Sequence, residues 1–486
     1  MATKKADESG ERRRVGRALP ATKSTRRVAR NDRTRERSKP SEDVTAIYVL
    51  KLTVENVRCF GPAQTLDLSD GHGKPKQWTV ILGNNGVGKT TLLQALAASL
   101  PKEDKAFSPK EGDAVFSPAL CVDLHQRAPQ FMRASEEMTS LRIALALGGP
   151  LAAAASTFEE DSTEISIEAD GLVGFTSRDV ALRGLHCIGY GANRSMGSGS
   201  LLGRDTDDHV ATLFNEGAVL RNAEEWLLQA DYAASKPSKE QARARDRRDA
   251  VKSMLIALLP DVEDLQLLAD IGSNPARPQP GIRLKTPYGW VPLQALSMGY
   301  KTLLAWMVDL ASRLYERYPD RDNPLSGPAV VLVDEIDLHL HPAWQRTLLD
   351  YLSQRFPNVQ FIVTAHSPLV VQAATDANIV VLRREGDHVV IDNGASAVRN
   401  WRVDQILTSD LFGLPSARSP ALDPLLAERR RLLTKPRLSA ADERALARIE
   451  RDIGQLPTGE TPEQMEAMDI IQRAASALRR TGGGAR

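Results

Sequence analysis

The sequence predicts an α/β fold, a mixed sheet flanked by helices, with an inserted helical lobe and a helical C-terminal segment. Three observations carry that expectation. The apolar run Trp78–Leu82 enters a glycine-rich turn, and Val330–Val333 ends on two acids. A third run, Gln360–Val363, leads into Thr364-Ala365-His366-Ser367-Pro368. Short β-branched runs of this kind suit central parallel strands buried on both faces.

Composition sets the outer limits. With 486 residues, 42% hydrophobic and 26% charged, the chain can hold one large or two moderate domains of ordinary globular type. Cys59, Cys121 and Cys187 lack CxxC spacing, which argues against a disulfide framework or a cysteine zinc site and fits a reducing compartment. The longest strongly apolar stretches, such as Ile143–Ala155, are too short to span a bilayer and contain glycine and proline. No signal-peptide pattern opens the chain, so a cytoplasmic location without membrane contact is expected.

The net charge of +1 conceals an asymmetry, because residues 1–42 hold 14 Lys/Arg against 6 Asp/Glu. An arm over 1–44 with almost no large apolar residues cannot bury enough surface to fold alone. It suits either nucleic-acid phosphates or solvent.

Residues 45–110 read as the first half of a nucleotide-binding head. Ile47–Val57 alternates as a half-buried strand, and QTLDL suggests a second. The strand Trp78–Leu82 then meets GNNGVGKT at residues 83–90, followed by a helix with Leu92, Leu93 and Leu96 on one face. This is a phosphate-loop motif in its required strand–loop–helix setting. Backbone N–H groups of Asn84, Asn85, Gly86, Val87, Gly88, Lys89, Thr90 and Thr91 can surround phosphate oxygens at a helix N-terminus. Lys89 adds positive charge, and the Thr90 hydroxyl can reach Mg²⁺.

A phosphate loop needs an acid from a second strand. VVLVDEIDLHLHP, residues 330–342, supplies Asp334 to hold Mg²⁺ and Glu335 to polarise the attacking water. Its His339 and His341 raise a competing metal reading. A His-x-His site needs further ligands, and the sequence has only eight histidines with no other metal spacing. Pro342 favours the start of a helix there. His341 then reads as a polar contact and His339 as packed. Roughly 240 residues separate the two motifs, so something large lies between them.

Leu296-Ser297-Met298-Gly299-Tyr300 precedes an apolar helix, and His366 follows the strand Gln360–Val363. Phosphate loop, Leu-Ser-x-Gly, acidic strand end and strand-end histidine, in that order, resemble the ABC-class ATPase head. Within that class, LSMGY, DEIDLHLHP, FPNVQFIVTAHSP and IGYGANR resemble AAA-family ATPases related to RecF, the overcoming-lysogenization-defect proteins and the Septu defence ATPases. The resemblance covers roughly residues 45–415. It implies an ATP and Mg²⁺ site in which Lys89, Glu335 and His366 are catalytic and Thr90 and Asp334 hold the metal. It also implies that Ser297 and Gly299 complete the site of a second subunit and that Asp337 lies in a subunit-bridging loop. A homodimer or higher homo-oligomer follows from it. Tyr300 stands where transporters have a second glycine, which weakens a transporter reading.

Residues 111–290 continue the head, with the helical lobe at about 195–260. Gln126 and Gln130 are alternatives for the family's glutamine loop. Arg194, in Gly191-Ala192-Asn193-Arg194, suits a phosphate or an inter-subunit contact. Arg243, Arg245, Arg247 and Arg248 form a charged helix face, with Asp246 and Asp249 interrupting any DNA signal. Residues 291–415 are the second half of the head. Residues 416–480 are expected to be helical, a docking or capping segment, before a disordered tail at 481–486. No strand there ends in a DxD pair, so a fused nuclease is not expected. The resulting expectation is a sensor or regulator in a prokaryotic antiphage complex with a separate nuclease effector, for example of HNH type. The alternative is a RecF/SMC-like ATPase that repairs or clamps DNA.

Overall fold

The three apolar runs become neighbours in one sheet. The computed structural model describes residues 46–99, 185–198, 208–268, 280–395, 401–414, 417–435 and 438–453, with Phe131 and the strands at 101–103, 116–118, 141–148, 161–167 and 173–176. The basic arm, Gln126 and Gln130 lie outside the described residues.

The main sheet has six strands in the order His388–Asp392, Asn378–Glu385, Trp78–Gly83, Val359–Thr364, Ala329–Val333, Cys187–Tyr190. All neighbours are parallel except the antiparallel edge pair Asn378–Glu385 with His388–Asp392. Val80 lies beside Val363, which lies beside Val333. Parallel register therefore brings the C-terminal ends of these strands to one edge, where open α/β sheets bind ligands.

Alternation along the strands divides the core. Val331, Val333, Phe361 and Val363 face one apolar cluster, and Val330, Leu332 and Ile362 face the other. On the second face lie Leu92, Leu93 and Leu96 of the helix Lys89–Ala98. The same cluster takes in a five-stranded antiparallel sheet in the order Gln64–Asp67, Tyr48–Glu55, Leu141–Gly148, Asp161–Ile167, Val173–Thr176. On the first face, the helix Met298–Arg317 buries Trp306, and Pro342–Arg355 buries Leu348 and Leu352.

The described residues of the expected lobe share the core of the head. The lobe's helices, Ala223–Ser235 and Gln241–Leu258, place Trp226, Leu227, Met254 and Leu255 in the cluster that contains Trp306. Apolar spacing of three and four residues on both helices accounts for this. A three-stranded antiparallel sheet follows, Asp264–Leu268, Gly281–Thr286 and Gly289–Pro292, which periodicity did not predict. The arginines of the second helix are engaged within the chain. Arg247 stacks over Trp226 at 4.4 Å, Arg248 pairs with Asp231 at 2.9 Å, and Arg243 lies 3.6 Å from Glu240. Arg245 Nε donates to the Ala234 carbonyl at 3.2 Å.

One buried charge ties the sheet edge to the helix Met298–Arg317. Asp309 accepts from the Tyr190 hydroxyl at 2.9 Å and from Arg313 Nε at 2.6 Å. Burying a polar group this deep is costly unless it is paired and hydrogen-bonded in this way. Toward the C-terminus lie the helices Asp423–Leu433 and Ala440–Ile453. The Ser439 hydroxyl accepts from the Asp442 N–H at 3.2 Å while the Asp442 carboxylate accepts from the Ser439 N–H at 3.0 Å, a reciprocal cap. Lys435 also donates to Asp442 at 2.7 Å, and these bonds hold its carboxyl well below the usual range. Among the described residues, no helix is long and apolar enough to cross a membrane.

Candidate active site

The site grows from a turn that only glycine can make. Gly86 and Gly88 have φ of 80° and 88°, the left-handed region that penalises a Cβ. At Gly88 a Cβ would also strike Cys59 Sγ and lie 2.9 Å from the Phe60 ring. The loop therefore closes tightly into the helix Lys89–Ala98, whose first intrahelical bond runs from the Leu92 N–H to the Gly88 carbonyl at 3.0 Å. N–H groups ahead of that bond have no intrahelical acceptor and can serve an anion. Asn84, Asn85 and Gly86 form the exposed tip, while Val87 is buried beneath it.

Lys89 folds back over its own loop. Its Nζ donates to the carbonyls of Gly83 at 2.7 Å and Asn84 at 2.9 Å. Burial pulls the ammonium below its usual range, and the carboxylates of Asp334, Glu335 and Asp337 oppose that shift. Three acids thus face one lysine. The Thr91 hydroxyl accepts from Arg58 Nη1 at 3.2 Å, and Gln94 accepts from the same nitrogen at 3.0 Å. Thr91 is thus engaged with a side chain of its own head.

A continuous hydrogen-bonded chain joins the start of the helix Lys89–Ala98 to two strand ends. Thr90 Oγ1 donates to Asp334 Oδ2 at 2.7 Å, and Thr364 Oγ1 donates to Asp334 Oδ1 at 2.6 Å. Thr364 Oγ1 in turn accepts from the Glu335 N–H at 2.7 Å. Glu335 has φ of 50°, and its half-buried carboxylate lies 4.0 Å from His366 Nε2. The His366 N–H donates to both oxygens of Asp337, at 3.2 and 3.1 Å. Asp337, expected to bridge subunits, thus anchors the histidine's backbone inside its own chain.

The chemistry fits a hard divalent cation. Thr90 and Asp334 present oxygen atoms to each other at the mouth of the phosphate loop. Mg²⁺ is commonly held by one or two carboxylates with substrate phosphates rather than by an all-protein cage. Among the described residues, no group of three or more His, Cys, Asp or Glu could hold a metal ion by itself.

Other residues take positions that their motifs did not disclose. Arg194, expected against phosphate or a second subunit, is 2% exposed. It donates through Nη1 to the Asp334 carbonyl at 2.6 Å and through Nη2 to the Glu335 carbonyl at 2.8 Å. Gly299 is buried against the loop after Glu335, and a Cβ there would strike the His339 carbonyl. Ser297 and Met298 open the helix Met298–Arg317 at the surface, and the Ser297 side chain forms no cap bond. Tyr300 packs edge-on against Trp344 at 4.7 Å and donates to the Pro260 carbonyl at 2.8 Å. A second glycine there would leave that gap open.

The two histidines are also explained. His341 is the N-cap of Pro342–Arg355, its Nδ1 accepting from the Ala343 N–H at 3.3 Å. His339 is exposed, not packed, with φ of 62°, so its carbonyl rather than its ring makes the contact with Gly299. Sequence reading missed Thr364 and Arg58. Thr364 belongs to the quoted run Thr364-Ala365-His366-Ser367-Pro368 but received no role there, and its place at a strand end was the available signal. Arg58 sits in a loop whose φ of 47° gives no motif to recognise.

Comparison with known proteins agrees with this geometry. Residues 221–372 match the family described as "AAA domain, putative AbiEii toxin, Type IV TA system", and residues 51–163 match "AAA domain". The chain is similar to the Retron Vc95 probable ATPase of Vibrio cholerae serotype O1 biovar El Tor, 51% identical over 87 residues, or 18% of this chain and 17% of that one. It is similar to Septu protein PtuA of Bacillus mycoides (strain KBAB4), 25% identical over 395 residues, or 80% of this chain and 48% of that one. The chain thus spans less than half the length of these curated relatives. Among solved structures, the Smc head bound to the C-winged helix domain of ScpA is 18% identical with a TM-score of 0.43, covering 71% of this chain and 97% of that one. The two family matches, both described as AAA domains, fall on the segments that hold the acidic strand end and the phosphate loop, so the chain carries an AAA-type ATPase domain.

Proposed function

We propose that this head binds and hydrolyses ATP between two copies of the chain, and that the pair acts as sensor or regulator of a separate nuclease effector in a prokaryotic antiphage complex. One observation supports the chemistry above all others. The Thr90–Asp334–Thr364–Glu335 chain of hydrogen bonds joins the phosphate loop to both acids within a single fold.

In this reading the loop N–H groups and Lys89 bind the phosphates. Thr90 and Asp334 would hold Mg²⁺, which when bound neutralises phosphate charge. Glu335 accepts the proton of the water that attacks the γ-phosphate, and ADP leaves. His366, beside Glu335, donates to a γ-phosphate oxygen. Ser297, exposed at its helix N-terminus, supplies the opposite head's nucleotide with a hydroxyl. Resemblance to the Septu defence ATPases supports the biological role and a cytoplasmic location. For the DNA-clamping alternative this helix offers Arg243 and Arg245 at the surface, while Arg247 and Arg248 are half-buried against Trp226 and Asp231.

The test is hydrolysis and assembly mass of the full chain, alone and co-expressed with the product of the adjacent gene. ATP turnover and a nucleotide-dependent doubling of mass are expected, with a nuclease co-purifying. A chain that stays monomeric with ATP overturns the paired-head reading. Salt-sensitive DNA binding without a protein partner would favour the clamping alternative.

A further inference from the structure

Glu335 is a non-glycine residue in left-handed conformation, with φ of 50°. Such backbone is strained and persists only where the surroundings over-determine it. The peptide groups on both sides of its Cα are held. The Glu335 N–H donates to Thr364 Oγ1 at 2.7 Å. Arg194 holds the two carbonyls that flank the Cα, Asp334 at 2.6 Å and Glu335 at 2.8 Å, and reaches back to its own Gly191 carbonyl at 3.1 Å.

This guanidinium is not built to meet phosphate. It is 2% exposed, both terminal nitrogens are committed to backbone carbonyls, and its Nε is buried without a hydrogen-bond partner. Burial lowers it to about 10, against the raising effect of Asp334, Asp337 and Glu335, so it remains charged at neutral pH. Its own segment is anchored as well. The Leu220 N–H donates to the Ser195 carbonyl at 2.9 Å, and the Gly197 N–H donates to the Leu220 carbonyl at 3.0 Å. Asn193 Nδ2 donates to the Glu216 carbonyl at 2.8 Å. The planar fork sets two donor nitrogens at a fixed separation on the two carbonyls, whereas an ammonium directs its donors from one rotatable nitrogen and fixes no such plane.

We propose that Arg194 is a positioning residue, whose buried fork locks the strained Glu335 peptide and thereby keeps the Glu335 carboxylate aimed at the nucleotide. The inference rests on the ATPase reading above. It separates two roles that the residue type alone leaves merged. A phosphate contact would lower nucleotide affinity, whereas a clamp on the Glu335 backbone lowers turnover.

The experiment compares Arg194→Met and Arg194→Lys with the unsubstituted full chain by single-turnover hydrolysis and by titration with a fluorescent ATP analogue. Misplacing a catalytic group by about 1 Å costs on the order of 100-fold in rate, and that loss is expected for Arg194→Met with affinity kept within about twofold. Arg194→Lys should recover part of the rate. Adding Arg194→Met to Glu335→Gln should bring no further loss, because the first acts through the second. An unchanged rate in Arg194→Met, a loss of affinity that matches the loss of rate, or a full multiplicative loss in the double variant overturns the clamp. If Arg194→Met fails to fold, the affinity and rate of Arg194→Lys decide by the same criteria. An unsubstituted chain that binds ATP without hydrolysing it overturns the ATPase reading and the clamp with it, an outcome distinct from failure of the clamp alone.

Discussion

The phosphate-loop edge of the sheet and the Leu296–Tyr300 turn are built in opposite ways. At the loop edge, Thr90, Asp334, Thr364 and Glu335 satisfy one another within one chain, and Lys89 bonds the carbonyls of its own loop. At the turn, Gly299 is locked against the His339 carbonyl while Met298 is 61% exposed and Ser297 faces solvent. The backbone of the turn is thus fixed and its side chains are unspent. A rigid, outward-facing turn suits a contact made by a second copy, and a self-satisfied edge suits chemistry that one copy organises alone.

Substitutions can probe that contrast. Glu335→Gln should cut hydrolysis by about 1000-fold while ATP binding persists, since a positioned base contributes ~10²–10⁴ in rate; wild-type turnover would remove Glu335 from its assigned role. Lys89→Ala should weaken nucleotide binding by about 100-fold in an equilibrium titration, the size of a charge-assisted bond of ~3 kcal/mol. Ser297→Arg should leave the affinity of the isolated head intact but lower steady-state hydrolysis by about tenfold and abolish the ATP-dependent mass increase. If its hydrolysis is unaffected, the turn does not complete a second site.

Smaller effects concern stability. Gly299→Ala should destabilise the chain by about 1–3 kcal/mol in denaturant titration, because the new Cβ must displace the His339 carbonyl. Ser439→Ala should cost about 1 kcal/mol at the helix Ala440–Ile453 and leave hydrolysis unchanged. A change in turnover from that cap would connect the C-terminal helices to the site.

Individual residues show how far sequence reading reached. The phosphate loop was readable because its glycines, lysine and threonine lie within eight consecutive positions and each answers a local need. Asp334 and Glu335 were readable as the end of a buried strand. Arg194 was noticed and given the wrong surroundings, since its motif says nothing about which carbonyls lie 140 residues away. His341 shows the reverse case. His-x-His suggested a metal, but Pro342 already marked the helix start that the imidazole caps.

Local backbone chemistry is therefore written in the order of the residues: glycines where φ must be positive, proline at a helix start, apolar runs where strands are buried. Partnerships across the sheet are not. Thr364 meets Asp334 and Asp337 meets the His366 backbone because Ala329–Val333 and Val359–Thr364 lie side by side in parallel register, and Gly299 meets His339 where the helix Met298–Arg317 approaches the loop after the first of them. Register and strand order arise from the packing of two whole apolar faces, which no short motif contains. The catalytic residue types belong to the sequence; how Glu335 is held and which way Ser297 faces belong to the fold.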